Sequence, residues 1–127
     1  MAGIVFFRTA RLEETIQFYT SRLGMKIWLE QKECTILSHG NLLLGFCQND
    51  AFETEGVITF FSLTRREVDQ MHNSLQDIAT SEPTENETYR IYQFYARDLE
   101  GRTLEFQAFL HSLQPIEIPL YLRTIQT

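Results

Sequence analysis

Ile4-Val-Phe-Phe-Arg-Thr-Ala-Arg-Leu-Glu13 lies over Ile58-Thr-Phe-Phe-Ser-Leu-Thr-Arg-Arg-Glu67, 54 residues further along, and five of the ten positions are identical. Ile4 matches Ile58, Phe6 and Phe7 match Phe60 and Phe61, Arg11 matches Arg65 and Glu13 matches Glu67. Self-similarity at one offset is the mark of a duplicated structural unit. In both copies the same series of elements follows.

In the first copy, residues 4–9 are β-branched and aromatic, as a buried strand requires. The period then changes. Leu12, Ile16, Tyr19 and Leu23 recur on one face of a helix over 11–23, Glu13 and Glu14 sit in its first turn, and Gly24 stops it. Strands follow at about 25–30, 33–38 and 42–48, the last two joined by a tight turn at His39-Gly40-Asn41. In the second copy the strand covers 57–63. Thr64 and Glu67 make a capping box for a helix to about Ile78, with Val68, Met71, Leu75 and Ile78 on its apolar face. Thr80–Thr88, containing Pro83, reads as a loop with room for a short strand at its start. Residues 89–96 and 102–109 form a hairpin through Asp98-Leu99-Glu100-Gly101. The pattern is α+β: βαβββ twice, as modules of about 3–48 and 57–109, with 49–56 as connector and 110–127 as an extension.

At 127 residues the chain is expected to form a single domain. The formal charge of −6, from 11 basic and 17 acidic residues, argues against nucleic acid or an anionic membrane surface as partner. Ten Phe and five Tyr point to an aromatic-rich core or cavity and away from disorder. No apolar run is long enough to span a bilayer, no leader is legible, and only two cysteines occur, so a cytoplasmic protein is expected.

Two segments resemble the vicinal oxygen chelate superfamily, which includes glyoxalase I, bleomycin-resistance proteins and extradiol dioxygenases. Phe18-Tyr19-Thr20-Ser21-Arg22-Leu23-Gly24-Met25 is similar to that family's first-helix ending, an aromatic pair followed by Leu-Gly. Phe94-Tyr95-Ala96-Arg97-Asp98-Leu99-Glu100-Gly101-Arg102-Thr103-Leu104-Glu105-Phe106 is similar to its last hairpin, an Asp-Pro-Asp-Gly-type turn leading into a strand that ends in Glu. Leu99 and Glu100 replace the proline and second Asp. The resemblance implies two βαβββ modules whose curled mixed sheet forms a cup around a small molecule. In metal-dependent members it also implies four ligands, one from the first and one from the fourth strand of each module. Carried across, these positions fall on Ile4, Leu44 (or Phe46 with a two-residue shift), Ile58 and Glu105. Only Glu105 has a ligand-type side chain, so no metal and no cofactor is expected. His39, His72 and His111 fall at a turn, in the second helix and beyond the last strand, as surface or packing residues. No nucleophile constellation or glycine-rich phosphate loop is legible.

Strand alternation assigns the cup face. With Glu105 inward, Thr103 and Gln107 join it, and Leu104, Phe106 and Ala108 turn toward the helices. By the same parity Ile4, Phe6 and Arg8, then Leu44, Phe46 and Gln48, then Ile58, Phe60 and Ser62 are expected inward. The expected ligand-binding set is therefore Phe6, Arg8, Phe46, Gln48, Phe60, Ser62, Glu105 and Gln107: apolar walls with a few orienting polar groups. Glu105 is the one candidate catalytic residue, as a general base or hydrogen-bond acceptor. Alternatively it is a structural carboxylate paired with Arg8 or a hydroxyl. Phe6, Phe46, Phe60, Trp28, Tyr92 and Tyr95 are candidates for a stacking box around a planar or cationic ligand, and core packing also accounts for such residues.

If Gly40-Asn41 is a two-residue hairpin loop, Cys34 lies opposite Cys47 at a non-hydrogen-bonded position, as two reduced, buried thiols in a cytoplasmic chain. Pro115 and Pro119 forbid a helix in the tail, while Ile116, Ile118, Leu120 and Leu122 alternate as in a strand. The tail either packs on its own domain or pairs with a second subunit, and a homodimer is expected. The function expected is metal-independent binding of a small organic molecule. A glyoxalase-type lyase or dioxygenase-like metalloenzyme using Glu105, and an interaction protein with a filled cup, are the alternatives.

Overall fold

Each half of the chain forms one mixed four-stranded sheet with one helix on one face. The computed structural model describes residues 3–115, and the expected tail strand through Ile116, Ile118, Leu120 and Leu122 lies outside them. Two compact units are present, the first reaching Ala51 and the second running Phe52–Leu113. No helix among the described residues is long and apolar enough to cross a membrane.

The first unit comprises β1 (Val5–Thr9), α1 (Leu12–Ser21), β2 (Lys26–Glu30), β3 (Cys34–His39) and β4 (Leu42–Gln48), with strand order β1-β4-β3-β2. β1 runs parallel to β4, and the other pairs are antiparallel. Gly24 ends α1 as its sequence implies. It takes φ 72°, open only to glycine at low cost, and the Met25 amide turns back to the Tyr19 carbonyl at 3.1 Å. Tyr19 packs its ring on Phe46 (centroids 4.8 Å), and Phe46 meets Phe7 (6.2 Å), so these rings form the helix–sheet seam. The buried Thr9 and Thr15 hydroxyls satisfy one another at 2.9 Å.

The second unit comprises β5 (Val57–Ser62), α2 (Arg65–Ser74), β6 (Thr84–Asn86), β7 (Ile91–Arg97) and β8 (Thr103–Phe109), with order β5-β8-β7-β6 and β5 parallel to β8. Thr64 caps α2, its Oγ1 accepting from the Glu67 amide at 3.2 Å and donating to Glu67 Oε1 at 3.0 Å. The helix stops four residues short of Ile78, because Leu75 leaves helical geometry; the Ile78 and Ala79 amides both turn back onto its carbonyl at 2.9 Å. The short strand of the 80–88 segment lies after Pro83, as β6, while only the single bridge Ala79–Ala96 marks its start. Phe60, Phe94 and Phe106 stack in series at 5.4 and 5.1 Å, closed at the edge by the His72 ring 5.0 Å from Phe94. His72 is thus a packing residue.

The β7–β8 turn shows why Glu100 stands where an Asp-Pro-Asp-Gly-type turn has its second Asp. Asp98 Oδ1 accepts the Glu100 and Arg102 amides at 2.9 Å, and Gly101 takes φ 91°. The buried Arg102 guanidinium reaches Asp98 Oδ2 at 3.0 Å and Glu100 Oε1 at 2.9 Å. Glu100 therefore fits the turn as the second carboxylate on a buried cation that must be paired.

Candidate functional site

Parity along β8 places Leu104, Phe106 and Ala108 under α2 and Thr103, Glu105 and Gln107 on the opposite face, as the sequence implies. The parallel register then settles β5. Ile58 pairs with Leu104, Phe60 with Phe106 and Ser62 with Ala108, so these three face the helix. Val57, Thr59 and Phe61 share the helix-free face with Glu105. The expected facing of Ile58, Phe60 and Ser62 is thus corrected by one residue, and a one-residue slip exchanges every side chain between faces.

β4 needs the same correction. Leu44 and Phe46 are buried against α1, leaving Leu43, Gly45 and Cys47 on the free face beside Phe6 and Arg8. Phe6 lies flat over Gly45, where a Cβ would stand 2.4 Å from its ring. Gln48 falls on the helix side of the strand with Leu44 and Phe46, not on the free face. Its Oε1 accepts the Leu12 amide at 2.9 Å and its Nε2 donates to the Ala10 carbonyl at 2.8 Å, so it clips the start of α1 to the end of β4. Of the eight residues read as ligand-binding, Phe6 and Arg8 lie on the free face of the first sheet and Glu105 and Gln107 on that of the second. Phe46, Phe60 and Ser62 do not.

Around Glu105 the second sheet builds a connected polar network. Thr59 Oγ1 donates to Glu105 Oε1 at 2.8 Å, and Gln93 Nε2 donates to Glu105 Oε2. The hydroxyl partner expected for this carboxylate is therefore Thr59. Gln93, 8% exposed, also donates to Tyr95 Oη at 3.0 Å and accepts from Asn86 Nδ2 at 3.0 Å. Because Glu105 can only accept when ionised, it fixes the Gln93 amide orientation, and that orientation fixes Asn86. Tyr95 receives a hydrogen bond and keeps its own proton for donation. Asn86, Gln93 and Tyr95 line one side of a groove of about 520 Å³ along β6, whose rim carries Glu82, Glu85 and Glu87. Val57 (54% exposed) and Phe61 (44%) supply apolar surface on the same face.

Asn86, Thr59 and Gln93 escaped the sequence reading, and Tyr95 appeared only among the aromatics. A signal existed for two of them. The Asp98–Gly101 turn sets the hairpin register, which places Tyr95 opposite Glu105 and Gln93 opposite Gln107.

Metal-dependent members of the superfamily that the sequence resembles hold a divalent ion on four ligands, and the donor set here does not fit one. Glu105 has a hydroxyl, an amide and a phenol for neighbours, the paired position on β5 is Thr59, and the corresponding positions of the first unit, Phe6 and Gly45, offer no donor side chain. Among the described residues no three His, Cys, Asp or Glu side chains come together to hold an ion.

No family model matches the sequence, and comparison with curated proteins gives no match. Solved structures do match. An integron cassette protein from the mobile metagenome of the Halifax Harbour sewage outfall superposes with a TM-score of 0.75 at 20% identity, covering 86% of this chain and 98% of that one. A glyoxalase/bleomycin resistance protein/dioxygenase family enzyme from Burkholderia phytofirmans gives 0.74 at 17% identity, covering 84% and 97%. The chain has the vicinal oxygen chelate fold. Lactoylglutathione lyase from Agrobacterium tumefaciens, at 0.71 and 17% identity over 85% of this chain and 92% of that one, carries the same fold. A vicinal oxygen chelate fold hosts many chemistries, so the site and not the fold must argue function.

Proposed function

We propose that this protein binds a small organic molecule without a metal, on the helix-free face of its second sheet, and that Glu105 is the acceptor that orients the ligand. The observation that carries the reading is the network itself. A carboxylate is held by Thr59 and Gln93 beside a groove, next to a phenol with a proton to give and the exposed apolar side chains of Val57 and Phe61. Apolar surface with a few convergent polar groups is the usual composition of a ligand site. A planar ligand with an N–H donor for Glu105 and an acceptor for Tyr95 uses every group offered, and binding alone, for sequestration or sensing, needs no nucleophile.

The test is titration of the wild type and the Glu105→Gln variant with benzamidine and benzamide, followed by amide NMR. The reading expects shifts centred on Thr59, Gln93, Tyr95 and Glu105, and about tenfold weaker benzamidine binding by the variant, equivalent to about 1.4 kcal/mol. Equal affinity of the two proteins, or shifts confined to other elements, contradicts it.

The same reading takes the protein as a homodimer, supported by the alternating apolar tail and by the exposed edge-strand residues Val5 and Val57. Deleting residues 112–127 then lowers the mass measured by light scattering, and an unchanged mass counts against the tail as the subunit link.

A further inference from the structure

The Cys34 and Cys47 positions confirm one expectation and correct another. They pair across β3 and β4 as the hairpin loop implies, with Cα atoms 4.0 Å apart. They are not two buried thiols, however. They form a disulfide, and both residues are half-exposed.

Three features of the surroundings bear on what this bond does. First, it spans 13 residues that the β3–β4 ladder already holds together, from Cys34–Cys47 to His39–Leu42. A cross-link stabilises chiefly by restricting the unfolded chain. One that closes a loop this short restricts that chain less than one closing a long loop, and the β3–β4 ladder does not depend on the bond, so the unit is able to survive its loss. Second, the bond sits at the open end of the hairpin, opposite the Gly40-Asn41 turn. Beyond it the two strands are joined by the Gln48 amide to the Glu33 carbonyl at 2.8 Å. Third, Gln48, the residue after Cys47, carries the clip on Leu12 and Ala10. Arg11, Leu12, Glu14, Lys32, Glu33 and Gln48 line a groove of about 450 Å³ at this end. Hydrogen bonding to the Arg11 guanidinium holds the Glu14 carboxyl there below its usual range.

We propose that Cys34–Cys47 is a reversible thiol–disulfide exchange site whose oxidised state locks the Gln48 clip and the groove at the start of α1, and whose reduced state releases them. The reductant is a dithiol. One of its thiolates attacks a cysteine sulfur, forming a mixed disulfide and expelling the other cysteine as a thiolate. Its second thiolate then attacks the mixed disulfide, forming the reductant's own disulfide and expelling the second cysteine. Two electrons pass to the protein, and each cysteine thiolate takes up a proton at pH values below its pKa. The ladder keeps both sulfurs in register after reduction, so re-oxidation needs no search. The site belongs to the first unit and is independent of the Glu105 reading.

The test compares hydrogen exchange of the full chain oxidised by glutathione disulfide and reduced by dithiothreitol, with thiols counted by alkylation and mass spectrometry. Two thiols per chain are expected on reduction, with the far-UV spectrum and a cooperative melt retained. The Leu12 and Gln48 amides, which donate to Gln48 Oε1 and the Glu33 carbonyl, are expected to exchange about tenfold faster when reduced, while the Leu37 and Leu44 amides of the hairpin centre stay protected. In Gln48→Ala the Leu12 amide exchanges fast in both states. A chain that unfolds on reduction, resists reduction while folded, or protects Leu12 and Gln48 equally in both states overturns the proposal. If the double variant Cys34→Ser/Cys47→Ser folds, it must exchange like the reduced wild type, and oxidised-like protection there also overturns it.

Discussion

Replacing Glu105 by Gln keeps the shape of the side chain and reverses one hydrogen-bonding direction. The new amide can still accept from Thr59 on its oxygen, but it then points its NH2 at Gln93 Nε2, and two donors face each other. Gln93 can rotate its amide to offer an oxygen, and the Tyr95 hydroxyl can turn to donate to that oxygen. Rotation, however, presents Gln93 Nε2 to Asn86 Nδ2. Asn86 cannot rotate in turn without losing the Tyr89 amide that its Oδ1 accepts at 3.2 Å. If the new amide instead turns its NH2 to Thr59, the hydroxyl accepts and its own proton loses the carboxylate, so one donor in this chain loses its acceptor whichever way the amides settle, beside a residue only 8% exposed. A lost hydrogen bond to a charged group, with a donor left unsatisfied, is worth about 2 kcal/mol. For a chain of this size that lowers Tm by about 6 °C. Urea titration followed by circular dichroism measures it. The sharper measurement is the cycle with Asn86→Asp. Alone, that change opposes a carboxylate to the Gln93 carbonyl and is also destabilising. Combined with Glu105→Gln, it lets Gln93 rotate with all groups satisfied: oxygen to the new amide at position 105, NH2 to the new carboxylate at position 86, whose second oxygen still takes the Tyr89 amide. The double variant should recover at least about 1 kcal/mol relative to the sum of the singles. Additive costs would refute the claim that Glu105 sets the direction of the whole network.

Three further outcomes follow from other parts of the structure. Thr64→Ala removes the acceptor for the Glu67 amide and should cost about 1 kcal/mol in urea, with Thr64→Ser retaining most of it. Leu104→Ala opens a cavity at a fully buried position under α2 and should cost about 2–5 kcal/mol; a cost below 1 kcal/mol would mean that β8 does not face the helix there. Tyr92 donates to Asp69 Oδ1 at 2.6 Å, and this bond, aided by desolvation and the Asp69 charge, raises its pKa above the ordinary tyrosine value. Its folded pKa being the higher, the stabilisation is fully present below about pH 10 and lost as pH rises through the raised value. Ultraviolet titration should show a late-titrating component from Tyr92 that Asp69→Ala moves toward the ordinary tyrosine range.

Element order and type were legible because each depends on local signals that agree. The switch from a β-branched run to 3.6-residue periodicity marks β1 and α1, Thr64 with Glu67 opens α2, and Gly40-Asn41 and Asp98–Gly101 set the two hairpin registers, including the Cys34–Cys47 pair. The end of α2 was less legible, since Leu75 and Ile78 continue a helical spacing that the chain satisfies with turns. The bond between the cysteines was not legible at all, since sequence gives their register and not their oxidation state. Nor was Asn86, because a three-residue strand in a polar segment has no period to detect.

The facing error on β5 comes from the offset of the repeat, and it changes what the repeat means. The identities align at an offset of 54, but the helices begin at Leu12 and Arg65, with cap positions Arg11 and Thr64, so the units superpose at 53. In a helix a one-residue shift is a turn of about 100°, but in a strand it exchanges the faces. At the true offset Phe7 corresponds to Phe60, each stacked under its helix on Phe46 or Phe106. Phe6 then corresponds to Thr59, and their partners on the neighbouring parallel strand, Gly45 and Glu105, correspond in turn. In one unit this pair of positions holds an aromatic ring lying over a glycine, and in the other a hydroxyl bonded to a carboxylate. The repeated Phe-Phe that revealed the duplication therefore does not carry one role twice. Each half packs rings between its own helix and its own sheet, and the two have diverged on the helix-free face. That divergence separates the apolar surface of the first unit from the acceptor of the second, and it is why the symmetry of the sequence located the fold more accurately than the site.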